Sequence, residues 1–165
     1  MLDIEIKTIP QKEQRYVTVG DYFKDGEKDC FRISDCGNRK YEWMIAIHEL
    51  IEKALCEHAG ITNAEIDAFD FKQKGLDEEL GDELDSPYRD QHCYATAAER
   101  MLCAAMGISW KEYDQFLCDL EQEENNMKNS TSATPTDGPL KSSLEGQMQI
   151  EPKMVSTKSM KAGSK

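Results

Sequence analysis

The stretch that most constrains this chain is YEWMIAIHELIEKALCEH, residues 41–58, whose apolar positions recur at helical spacing. Tyr41, Ile45, His48, Glu52 and Leu55 follow one stripe, and Met44, Ile47, Ile51, Ala54 and His58 the next, so a wide buried face carries two polar groups. The other side, Glu42, Glu49, Lys53 and Glu57, reads as solvated, with Glu49 and Lys53 in a favourable i,i+4 order. A second pattern, YRDQHCYATAAERMLCAAM at 88–106, places His92, Ala95, Glu99, Leu102 and Met106 on one stripe. Each helix therefore turns one histidine and one carboxylate inward. Burying carboxylates is costly unless they are paired, protonated or bound to metal. His48, Glu52, His92 and Glu99 accordingly form a candidate metal set suited to a divalent ion, zinc or manganese foremost. The alternative is a His–Glu hydrogen-bond network that locks the helices together.

Around these helices the pattern predicts an α+β domain over residues 1–121 and a disordered tail over 122–165. MLDIEIK alternates like a half-buried strand that Pro10 ends, while RYVTVGDYF and CFRIS flank the turn residues DGEK as a hairpin. A small N-terminal antiparallel sheet thus packs on a bundle of about four helices at 40–59, 63–71, 88–106 and 110–121. Ser34, Asp35 or Asn38 caps the first helix, and Gly60 stops it. Thr62 with Glu65 and Ser109 with Glu112 are capping boxes. Pro87 suits a first helical turn. Residues 74–87 form an acidic connection, and the tail carries one short candidate interaction stretch, LEGQMQIEPKM.

Charge narrows the function classes. The net charge of −12 belongs entirely to residues 1–120, with 26 acidic against 14 basic side chains. Such a surface repels a phosphate backbone, which argues against nucleic acid and suits cations or a basic host protein. No apolar run approaches the ~20 residues that span a bilayer, so no membrane segment is expected. Without an export pattern the expected setting is cytoplasmic, with the six cysteines reduced and Cys56, Cys93 and Cys103 serving as small core residues.

His48-Glu49-Leu50-Ile51-Glu52 resembles the HExxH helix of zinc peptidases, with glutamate in place of the second histidine. The resemblance implies His48 and Glu52 as ligands and Glu49 as general base. Glu49 and Glu52 also match the ExxE spacing of all-α nucleotide pyrophosphohydrolases, whose second acidic set would fall on Asp67 and Asp70 or on Glu99. More broadly, VGDYF, HELIE…H.GI, FD and SPYRDQHCYATAAERML…MGISWKEYD resemble a family of small phage and prophage proteins without an established activity. That likeness spans about residues 15–116 and implies a virus-associated setting. The reading that unites these features is a metal-dependent hydrolase of a small, phosphate-bearing substrate. Glu49 or Asp90 would act as base, and Arg89 with Tyr88 would bind the substrate anion. The alternative is a non-enzymatic acidic binding protein.

Overall fold

A computed structural model describes residues 1–72 and 80–132 of the chain. Three strands come first: β1 (Ile4–Ile9), β2 (Gly20–Asp25) and β3 (Lys28–Ser34). β2 and β3 form the expected hairpin, closed by Gly26-Glu27, with Gly26 at φ 62° where a side chain would be strained. The sheet is mixed rather than antiparallel, because its order is β1-β3-β2 and β1 runs parallel to β3. β1 leaves one strand position empty, β2 returns beyond it, and the hairpin folds β3 back into the gap. The middle strand must then share the direction of β1.

Four helices follow: α1 (Arg39–Ala59), α2 (Asn63–Asp70), α3 (Arg89–Ala105) and α4 (Trp110–Ser132). Asn38 caps α1 through Lys40 N, and Gly60 ends it at φ 79°. Thr62 and Glu65 close the capping box of α2. Pro87 stands just outside α3, one residue before its N-cap Tyr88. α4 continues past the expected end at 121, because Glu and Gln favour helix and no glycine or proline interrupts the chain before Pro135. Residues 122–132 are therefore helical rather than part of a tail, and Glu124 is buried. The rest of the expected tail, with LEGQMQIEPKM, and residues 73–79 of the acidic connection lie outside the described residues. Residues 80–82 of that connection form a 3-10 turn.

α1 packs on β2 and β3 and pairs with α3. One apolar cluster joins Val19, Ile33, Met44, Ile45, Cys103, Tyr113 and Leu117, and a second joins Tyr22, Phe31, Cys56, Ile66 and Tyr88. Each fully buried large apolar side chain contributes roughly 1.5–3 kcal/mol. The buried face of α1 is rotated from the expected one. Lys53 lies inside and pairs with Asp29 at 3.5 Å and with Glu57, not Glu49, while Ala54 and His58 are exposed. β1 is an edge strand whose Ile4 and Ile6 remain 39% and 43% exposed, so it is less covered than its alternation suggests. None of the six cysteines is in a disulfide, and Cys93, expected in the core, is exposed.

Candidate metal centre

The helical spacing does the first part of the work. His48 and Glu52 are one turn apart on α1, so both reach the seam with α3, where His92 meets them. His48 Nε2 lies 3.5 Å from Glu52 Oε2 and 3.2 Å from His92 Nδ1, and His92 Nδ1 lies 2.9 Å from Glu52 Oε2. Ligand atoms about 2.0–2.2 Å from a tetrahedral zinc stand roughly 3.3–3.6 Å apart. The three atoms thus approximate one face of such a tetrahedron and leave its fourth corner to another group. They form the metal-capable group among the described residues. All three residues are buried.

The remaining polar atoms of these side chains are also held. His48 Nδ1 lies 3.2 Å from Glu99 Oε2, and Tyr113 donates to Glu99 Oε1 at 2.5 Å. Tyr22 donates to Glu52 Oε1 at 3.0 Å. His92 Nε2 is 3.7 Å from Asp82 Oδ1. Glu99, expected as a fourth ligand, therefore stands against the far nitrogen of His48 instead of joining the triangle. Carboxylates on the outer nitrogens of histidine ligands orient the rings and raise their basicity.

Burial opposes ionisation of Glu52, yet hydrogen bonds from His48 and His92 outweigh it and hold the carboxyl down at about 2. Burial likewise opposes a charge on His48, and hydrogen bonds to Glu52 and Glu99 raise it well above its ordinary value. The metal-free cluster is thus proton-rich carboxylate–imidazole chemistry, and a divalent cation would take the place of the proton on Nε2.

Glu49 is half-buried and faces the seam rather than solvent, which corrects the expectation for its side of α1. Gly20 on β2 leaves room for it: a Cβ there would crowd Glu49 Oε1 and Ile45 Cγ2, so a side chain at this position would force one of them to shift. Burial, then the charge of Glu52, raises the Glu49 carboxyl well above the usual range, against the pull of His48 and His92. No hydrogen bond holds its carboxyl among the described residues.

Next to it, Asp21 is buried and takes a two-pronged bond from Arg15, which also reaches Asp67 at 3.0 Å. Asp70 is buried between Tyr88, at 2.7 Å, and Tyr16, at 3.0 Å; burial pushes its carboxyl up to about 6. Tyr88, expected to hold substrate, is thus buried and spent on Asp70. Arg89 is half-buried with Nε on the Asp82 carbonyl, and Asp90 is exposed on α3. Gly81 lies flat against the His92 ring, where a Cβ would sit 2.2 Å from Cγ.

Sequence reasoning missed Tyr22, Tyr113, Asp82, Asp21, Tyr16 and both close-packed glycines. The one available signal was hydroxyl-bearing Tyr22 and Tyr113 at positions otherwise suited to phenylalanine. No protein-family model matches the chain, and no curated protein or solved structure matches it significantly. Among the described residues no helix is long and apolar enough to cross a membrane.

Proposed function

We propose that the chain is a divalent-metal-dependent hydrolase whose ion sits on His48, Glu52 and His92. The observation that carries this reading is the triangle of donor atoms at 2.9–3.5 Å, each backed by a second contact on its own side chain. Three protein ligands with one open corner are the usual arrangement of hydrolytic zinc. The metal would supply Lewis acidity and lower the pKa of a bound water to about 7. Glu49, unengaged and beside the ligands, would take the proton of the attacking water and pass it to the leaving group. The resemblance of HELIE to the zinc-peptidase helix assigns it the same role.

The surroundings sharpen the substrate expectation. Glu99 and Asp82 stand against the ligand histidines and the charges of Glu49 and Asp70 reach Glu52, while Arg15 is spent on Asp21 and Asp67. One divalent charge leaves this environment negative, which favours an uncharged ester or amide over the phosphate-bearing substrate anticipated from sequence. A small phosphate ester would need a second cation.

The full chain loaded with zinc or manganese, assayed on small esters, amides and phosphate esters, tests this. Wild type should turn over at least one class, and Glu49→Gln should keep its metal while losing on the order of 10²–10⁴-fold in rate. Absence of turnover in every loaded form, or equal turnover by Glu49→Gln, would overturn it. The second reading, a His–Glu network in a non-enzymatic acidic binding protein, rests on the same distances, which are also those of hydrogen bonds. It predicts no tight metal binding at all.

A further inference from the structure

A hydrogen-bonded chain runs from α4 through α3 to the metal-side histidine of α1. Tyr113, with no exposed surface, donates to Glu99 Oε1, and Glu99 Oε2 faces His48 Nδ1. Neither Tyr113 nor Glu99 touches the triangle. Neutral imidazole carries its proton on one nitrogen only, and the other is the ligand atom. A carboxylate can only accept. With Oε2 against Nδ1, the proton belongs on Nδ1, and the lone pair of Nε2 points to Glu52 and His92.

We propose that Tyr113 and Glu99 are positioning residues that set metal affinity by fixing the His48 proton on Nδ1, with α4 acting as the outer support of the centre. This rests on the metal-centre reading above. Tyr113 is a dependable donor, since burial and the adjacent carboxylate push its hydroxyl far above the ordinary range. Its hydroxyl has no other hydrogen-bond acceptor among the described residues.

The arrangement makes Glu99→Gln more than a loss of charge. Tyr113 would still claim the amide oxygen, because turning the amide would leave its buried O–H without an acceptor, at about 1–3 kcal/mol. The amide nitrogen would then face His48 Nδ1 and force it to accept. The proton would move to Nε2, where it competes directly with the metal. In a Glu99→Gln/Tyr113→Phe double variant nothing holds the amide oxygen, so the amide can turn and restore an acceptor to Nδ1.

Zinc competition against a chromophoric chelator, on the full chain, reads the effect directly. Glu99→Gln is expected to weaken zinc on the order of 10- to 100-fold, as for other partners of histidine ligands. Tyr113→Phe alone should cost less, and the double variant should bind more tightly than Glu99→Gln. Nitrogen-15 spectra of zinc-loaded wild type should show His48 protonated at Nδ1, a readout that needs no variant to fold. Glu99→Gln binding like wild type, a double variant weaker than Glu99→Gln, or a His48 proton on Nε2 would overturn the proposal while leaving the metal centre standing. Wild type that binds no zinc would instead remove the metal centre itself.

Discussion

His48 and His92 offer one ring nitrogen each to the same point, but their outer nitrogens meet different surroundings. His48 is backed by Glu99, which is 5% exposed and is itself held by a fully buried tyrosine. His92 is backed by Asp82, whose side chain is 56% exposed and 3.7 Å away, and its ring is braced by the backbone of Gly81. His48 is thus backed by a buried carboxylate, whereas the Asp82 carboxylate facing His92 is exposed and the Gly81 backbone lies close against that ring. A buried charge-assisted bond is worth far more than an exposed one, so the two sides should answer differently to similar substitutions.

The largest effect is expected where the sides are equal. His48→Ala and His92→Ala each remove one of three ligands, and each should weaken zinc on the order of 100-fold or more in chelator competition. A large loss from only one of them would show that the ion, if bound, sits elsewhere.

Below that, Gly81→Ala attacks the His92 side. Its Cβ cannot coexist with the His92 ring, so either the turn or the ring must move, and zinc binding should weaken on the order of tenfold while Glu99 and His48 stay in register. Asp82→Asn attacks the same side through its exposed carboxylate and should change zinc affinity by no more than about threefold, well short of Glu99→Gln. Equal losses from Asp82→Asn and Glu99→Gln would erase the proposed asymmetry.

The N-terminal end of α3 offers a smaller, pH-dependent test. Tyr88, the N-cap of α3, is tied to buried Asp70 on α2, so this pair anchors the helix that carries His92. Asp70 rises from 3.8 to about 6 because burial disfavours its charge. A raised carboxyl contributes stability that is fully present below its unfolded value and is lost as pH climbs through the folded value. Metal-free wild type should therefore lose up to about 3 kcal/mol of stability from Asp70 between pH 4 and pH 7. In urea unfolding, Asp70→Asn should lack that loss, so its stability relative to wild type improves toward neutral pH. A difference independent of pH would show that Asp70 does not titrate in this window.

Local signals were legible in the sequence wherever the chain decides locally. The α1 stop at Gly60 and the Thr62–Glu65 box follow from neighbouring residues and appear as read, and the hairpin appears with its strands shifted to Gly20–Asp25 and Lys28–Ser34. The inward sides of His48, Glu52 and His92 were legible from helical spacing, but that α1 and α3 meet, and that Glu99 stays outside the group, was not. What depends on distant chain was not legible. The parallel pairing of β1 with β3 is set by where the hairpin returns, and the inward Glu49 packs against Gly20, 29 positions earlier in the sequence. Glu99 shares its helix face with His92, yet α4 decides which atom it meets, since Tyr113 claims one carboxylate oxygen and leaves the other for His48.

Elemental analysis of the full chain, purified without chelator and without added metal, bears most directly on the centre formed by His48, Glu52 and His92. About one divalent ion per chain is expected, lost in His48→Ala and His92→Ala, with a melting temperature that falls in EDTA and recovers with zinc. A metal-free chain whose melting temperature responds to neither EDTA nor zinc would contradict the metal centre and leave the seam as a buried His–Glu hydrogen-bond network.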